Sequence, residues 1–207
     1  MNNLLIISAT NDNNLELSNK LHSFLEELGQ PSTVVSLEDY KFPLFGSGQD
    51  ADEASINKLV SHFLDVKGFI VCAPEYNGGV PPVLSNAITW VTVKTKNWRD
   101  AFNNKIGVIA SNSGGPAAKF NIAMKNQLEH LGMVVVPRLI STSSKNPINK
   151  DFMLLCGFEK FDNFFVRIDI LERLFIMILN SNKDNKSNEI KLVPEMLNLL
   201  GCNKENF

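Results

Sequence analysis

From residue 4 to residue 136, short apolar runs of strand length alternate with helical apolar faces, and few architectures accommodate that rhythm. Residues 4–8 read Leu-Leu-Ile-Ile-Ser, a strand-length run. Leu17, Leu21, Phe24, Leu25 and Leu28 then recur at the spacing of one helix face, and Gly29 and Pro31 supply the stop. Residues 33–37 (Thr-Val-Val-Ser-Leu) are a second, β-branched run. After a polar stretch containing Pro43, Asp50 and Glu53 have capping-box spacing ahead of Ile56, Leu59, Val60, Phe63 and Leu64. Residues 68–73 are continuously apolar, as expected where helices cover both faces of a parallel sheet. Pro81 and Pro82 suit a helix first turn, continued by Val83, Leu84, Ala87, Ile88 and Val91. A fourth run (105–110), a fourth helical face (Ala117, Phe120, Met124, Leu128, Leu131) and a fifth run (133–136) complete the series.

Five strands alternating with four helices predict an α/β fold, a three-layer doubly wound parallel five-stranded sheet with right-handed crossovers. A closed barrel would need eight such units. In open sheets of this type ligands sit beyond the carboxyl ends of the strands. Function is therefore sought in the segments after Ser8, Ala73 and Ala110.

Composition excludes other classes. Across 207 residues, 20 Lys and Arg oppose 22 Asp and Glu, a net charge of −2, so there is no basic footprint for nucleic acid. No apolar run approaches the roughly 20 residues of a membrane helix, so no membrane association is expected. Met1-Asn2-Asn3 lacks the positive flank of a secretory signal, and Cys72, Cys156 and Cys202 show neither disulfide-framework nor zinc spacing. These readings predict a cytoplasmic protein with no metal site.

The first loop, residues 8–14 (Ser-Ala-Thr-Asn-Asp-Asn-Asn), is neither GxGxxG nor a phosphate-loop motif. Its hydroxyls and amides precede a helix N-terminus, a place suited to a phosphate monoester. The same residues also suit a plain turn and helix cap, and Asp12 opposes a phosphate unless it points away. The second loop, residues 74–82 (Pro-Glu-Tyr-Asn-Gly-Gly-Val-Pro-Pro), permits positive φ along Asn77-Gly78-Gly79, and Tyr76 offers an aromatic face. A tight strand-to-helix turn with Tyr76 folded onto the core is the alternative. The third loop, residues 111–116, repeats the donor-rich, low-bulk chemistry with Ser113, Gly114 and Gly115.

Residues 74–90, Pro-Glu-Tyr-Asn-Gly-Gly-Val-Pro-Pro-Val-Leu-Ser-Asn-Ala-Ile-Thr-Trp, resemble the hallmark of the NADPH-dependent FMN reductase family, PEYNGS-x-P-x-x-L-K-N-A-x-D-W. The resemblance spans roughly residues 3–137. It implies a flavodoxin-like fold with strand order 2-1-3-4-5, bound FMN, and NADPH or NADH as co-substrate. FMN would be held by Ser8, Thr10, Asn11 and Asn14 of the first loop, Pro74, Glu75, Tyr76, Asn77 and Gly78 of the second, and Ser113, Gly114 and Gly115 of the third. The family's first loop commonly reads G-S-x-R-x-x-S-x-N. Here Ala9, Asn11, Asn14 and Glu16 stand at the Ser, Arg, Ser and Asn positions, so the Arg is missing.

In such a site the cofactor carries the difficult chemistry and the protein orients it, so no catalytic side chain is assigned. The three loops contain neither His nor Cys. His22, His62 and His130 fall on helical segments, Glu75 reads as a maker of backbone hydrogen bonds rather than a base, and Trp90 and Trp98 read as edge or interface residues. The expected activity is hydride transfer from NAD(P)H through bound FMN to a small-molecule acceptor: flavin, quinone, azo compound or metal oxyanion. The alternatives are an FMN-binding electron carrier or a degenerate relative without reductase activity. Residues 1–140 read as the FMN-binding domain and 141–207 as a C-terminal extension. In that extension residues 141–149 read as a polar connection, while 167–180 and 192–200 read as helices. Its apolar residues require burial on the domain or on a partner chain, and with the family's habit the economical reading is a homodimer or homotetramer.

Overall fold

The computed structural model describes residues 3–137 and 139–148. The two helices expected at 167–180 and 192–200 lie outside the described residues. The elements are β1 (Leu4–Ser8), α1 (Asn13–Glu27), β2 (Ser32–Ser36), α2 (Glu53–Leu64), β3 (Gly68–Cys72), α3 (Pro82–Lys94), β4 (Ile106–Asn112), α4 (Ala118–His130), β5 (Val134–Val135) and β6 (Ile140–Thr142). All sheet pairings are parallel, in the order β2-β1-β3-β4-β5, with β6 also on β4. This is the expected flavodoxin-like order.

Every residue of β1 and β3 is buried, which explains why both read as unbroken apolar runs. Side chains alternate across the sheet with a period of two. Leu5 and Ile7 join a cluster with Ile56 and Phe63 of α2 and Leu84 and Val91 of α3. Leu4 and Ile6 are equally buried on the other face. There α1, which packs on β1 to β4, brings Leu17, Leu21 and Leu25. Leu28, read as part of that face, lies past the helix end and is 39% exposed.

Two local details depart from the sequence reading. The cap of α2 is Asp52, whose carboxylate accepts from the Ala54 amide at 3.1 Å, rather than Asp50. Three acidic residues stand within four positions here, and the one directly before the first helical residue takes the cap. The fifth strand is split. Val136 donates to Gly107 O at 2.8 Å, then Pro137, which has no N–H, ends the ladder. Pairing resumes at β6, which the sequence reading had partly assigned to a polar connection, and β4 consequently runs to Asn112 rather than Ala110.

The register sets the position of the site. Ser8 lies beside Cys72, and Cys72 beside Ala110, so β1 and β3 end level with each other while β4 continues two residues further, to Asn112.

Candidate functional site

The first loop leaves β1 with the Ala9 amide still bonded to Cys72 O at 2.9 Å. Ser8 is fully buried, and its hydroxyl donates to Thr10 O at 2.7 Å. The Asn11 carboxamide oxygen accepts from the Ser36 hydroxyl. Asn14, 2% exposed, donates from Nδ2 to Asn112 O at 3.0 Å and accepts from Asn112 N at 2.9 Å. Three of the four first-loop side chains that the sequence offered to a phosphate are thus engaged within the protein. Asp12 is the N-cap residue of α1, with no side-chain cap bond. The amides of Asn13 and Asn14 are the first of the helix and have no acceptor within it.

In the second loop, Tyr76 and Gly79 exchange backbone hydrogen bonds of 3.2 and 2.9 Å around Asn77 (φ 51°) and Gly78 (φ 72°). Positive φ at both central residues is the type I′ turn that Asn-Gly favours. The turn leaves Tyr76 48% exposed rather than folded onto the core. A Cβ on Gly78 would stand 3.0 Å from Cδ of Lys119. Glu75 faces the start of α4, where its Oε2 accepts from the amides of Lys119 (3.0 Å) and Phe120 (3.1 Å). The residue before that helix, Ala117, is in the left-handed region (φ 50°) and has no capping side chain, so Glu75 supplies the cap from another loop.

The third loop is tied to the second where the Glu75 amide donates to Ser113 Oγ at 2.9 Å. Ser113 N in turn donates to Thr142 O at 3.2 Å. Gly114 and Gly115 have open space where a side chain would begin. Beyond β6, a turn closed by paired bonds between Ser143 and Asn146 forms a further wall.

These segments enclose a cavity of about 590 Å³, inside the roughly 300–1,000 Å³ range of small-molecule sites. Of the residues singled out from sequence, Thr10, Asn14, Pro74, Glu75, Tyr76, Ser113 and Gly114 line it. Ser8, Asn11, Asn77, Gly78 and Gly115 do not; Ser8 is buried, the Asn11 side chain is bonded to Ser36, and Asn77 and Gly78 form the turn behind Tyr76. Residues that line it without having been singled out are Asp12, Asn13, Glu16, Lys20, Asn112, Ser143, Ser144 and Pro147. Asp12, Asn13 and Asn112 were foreseeable as neighbours within the loops. Glu16 and Lys20 carried the signal of an i,i+4 pair, and Ser143 and Ser144 depended on recognising β6.

The chemistry of the lining is that of binding and orientation. Its carboxylates are Asp12, Glu16 and Glu75, with Glu75 committed to α4. Lys20 is its one cation among the described residues, paired with Glu16 at 2.6 Å. No His lines it. Cys72 lies beneath, where complete burial pushes its thiol up to about 12 and leaves it no nucleophile.

A family profile described as NADPH-dependent FMN reductase matches residues 2–146. Among solved structures the fold is similar to FerB, a flavoenzyme NAD(P)H:(acceptor) oxidoreductase from Paracoccus denitrificans, at 19% identity and a TM-score of 0.61 over 84% of this chain and 98% of that one. It is also similar to an NADH:FMN oxidoreductase, EmoB, at 17% identity and a TM-score of 0.58 over 81% and 90%. A flavodoxin from the domain Archaea matches at 12% identity and a TM-score of 0.56 over 81% and 99%. No match is found among curated protein sequences.

Proposed function

The chain belongs to the NADPH-dependent FMN reductase family, and from that premise we propose that it catalyses NAD(P)H-dependent reduction of a small acceptor, with FMN held in the 590 Å³ cavity. The acceptor is drawn from free flavins, quinones, azo compounds and metal oxyanions. The observation that carries this reading is the convergence of three strand-end loops on one cavity at the carboxyl edge of the sheet.

The residues present fit the cofactor. The Thr10 hydroxyl and the amides of Asn13 and Asn14 suit a phosphate at the α1 end. The half-exposed Tyr76 ring suits stacking against a flat ring system. Ser113 and the side-chain-free Gly114 allow close approach of the ligand's edge. FMN, when bound, supplies hydride acceptance and donation. The protein's part is to orient the ring on Tyr76 and to keep the loops fixed through Asn14 and Glu75. We place the enzyme in the cytoplasm as a homodimer or homotetramer; no helix of the described residues is long and apolar enough to cross a membrane.

Purification followed by visible spectroscopy tests the reading. The expected result is a yellow protein, as isolated or after FMN addition, whose absorbance near the flavin band is bleached anaerobically by NADH or NADPH. A colourless protein that takes up no FMN overturns it. A yellow protein unbleached by either nucleotide leaves an electron carrier instead. Sedimentation analysis reads the oligomeric state, and a monomer would overturn that part.

A further inference from the structure

We propose that Lys20 recognises the phosphate of the bound mononucleotide, and that Glu16 holds its ammonium in place until the phosphate arrives. The inference rests on the FMN reading above and assigns a residue to it.

A phosphate monoester carries about −1.5 to −2 charge at neutral pH. The α1 end of the cavity receives it with Asp12, Asn13, Asn14, Glu16 and Lys20. The side chains of Ser8, Asn11 and Asn14 are already bonded within the protein. The helix end contributes about half a positive charge. Asp12 and Glu16 together contribute two negative ones, so the dipole and two free amides are outweighed unless a cation joins them. Lys119 lies against Gly78, at the second loop's turn, and Lys145 does not line the cavity.

Lys20 has the required geometry. It stands in the second turn of α1, and long helical side chains lean toward the helix N-terminus. Its Nζ is already drawn to the first turn, 2.6 Å from Glu16 Oε1. The pair is solvent-exposed, with side chains 47% and 65% accessible, and exposed i,i+4 pairs contribute little to stability. Exchanging a carboxylate for a phosphate therefore costs little, and the dianion is the stronger partner.

The test is titration of the full chain, freed of flavin, with FMN and with riboflavin, read by flavin fluorescence. The proteins are wild type, Lys20→Met, Lys20→Arg and Glu16→Gln, each checked for an unchanged melting temperature. Lys20→Met is expected to weaken FMN about tenfold while riboflavin, which lacks the phosphate, changes less than about twofold. Lys20→Arg should restore FMN binding, and Glu16→Gln should tighten FMN severalfold with riboflavin unmoved. Inorganic phosphate should compete with FMN in wild type and compete less in Lys20→Met. Equal losses for both flavins, or no loss for either, overturn the role of Lys20 while leaving the cofactor reading intact. A wild-type chain that binds neither flavin overturns both.

Discussion

Asn14 and Asn112, 98 positions apart, exchange two hydrogen bonds: the Asn14 side chain donates to the Asn112 carbonyl at 3.0 Å and accepts from its amide at 2.9 Å. One side chain thus substitutes for a strand partner and fastens the start of α1 to the end of β4. Asn14→Ala leaves both backbone groups of Asn112 without that partner. The expected loss is about 1–3 kcal/mol, or roughly 2–12 °C in melting temperature for a domain of this size, with weaker FMN binding as the first and third loops separate. Asn14→Asp should be no better, because it keeps an acceptor for the amide but sets a carboxylate against the carbonyl. Thermal melts followed by circular dichroism check both variants.

Glu75 joins the second loop to α4 through two amide contacts, and Ala117 provides no cap of its own. Glu75→Ala is expected to cost about 0.5–2 kcal/mol, the usual cost of losing an N-cap. Glu75→Gln keeps a carbonyl oxygen for the same amides and should recover most of that loss in urea denaturation. If Glu75 acted instead as an essential base, both variants would abolish turnover alike. The expected result is turnover retained in Glu75→Gln in proportion to its flavin content.

The fold was largely legible because its information is periodic. The unbroken runs at residues 4–8 and 68–72 are buried on both faces, and the Leu17-Leu21-Leu25 spacing is a helix face. The strand β6 was not legible, since Ile140-Ser141-Thr142 has no period of its own and is a strand only because β4 offers it three partners. The site was legible as a place but less so as a set of side chains. A polar residue at a strand end reads the same whether it lines a cavity, as Thr10 does, or bonds a backbone group, as Ser8 does. Only the three-dimensional partners of Ser8, Asn11 and Asn14 separate the two uses.

The turn behind Tyr76 makes opposite predictions at its two central residues. Asn77 tolerates its φ of 51°, and Asn77→Gly relieves a mild strain, so stability should hold within about 0.5 kcal/mol. Gly78→Val forces a β-branched residue to a φ near 72° and pushes on Lys119 at 3.0 Å. Such a conformation costs roughly 1–2 kcal/mol, and Tyr76 is re-aimed with it. Flavin titration should show weaker binding in Gly78→Val and nearly unchanged binding in Asn77→Gly. Equal binding in all three proteins would show that the turn does not set the position of Tyr76.

Lys105 gives the fold an alkaline signature far from the cavity. Its ammonium donates to the last carbonyls of α2, Phe63 O at 2.5 Å and Leu64 O at 3.1 Å. Burial and, secondarily, the neighbouring Lys67 charge lower its pKa from 10.5 to about 8, against a smaller opposing effect of Asp65. Below about pH 8 the native state holds a charge it disfavours, and the unfolded chain holds the same proton freely. Between about 8 and 10.5 the unfolded chain binds more protons than the native one, so this group's contribution to stability rises with pH. Lys105→Met removes the titration. Urea denaturation of both proteins at pH 7, 9 and 10 should show the stability of wild type, relative to Lys105→Met, lowest at pH 7 and climbing through that alkaline window. A constant difference across the three pH values would show that the Lys105 ammonium is as well accommodated in the fold as in water.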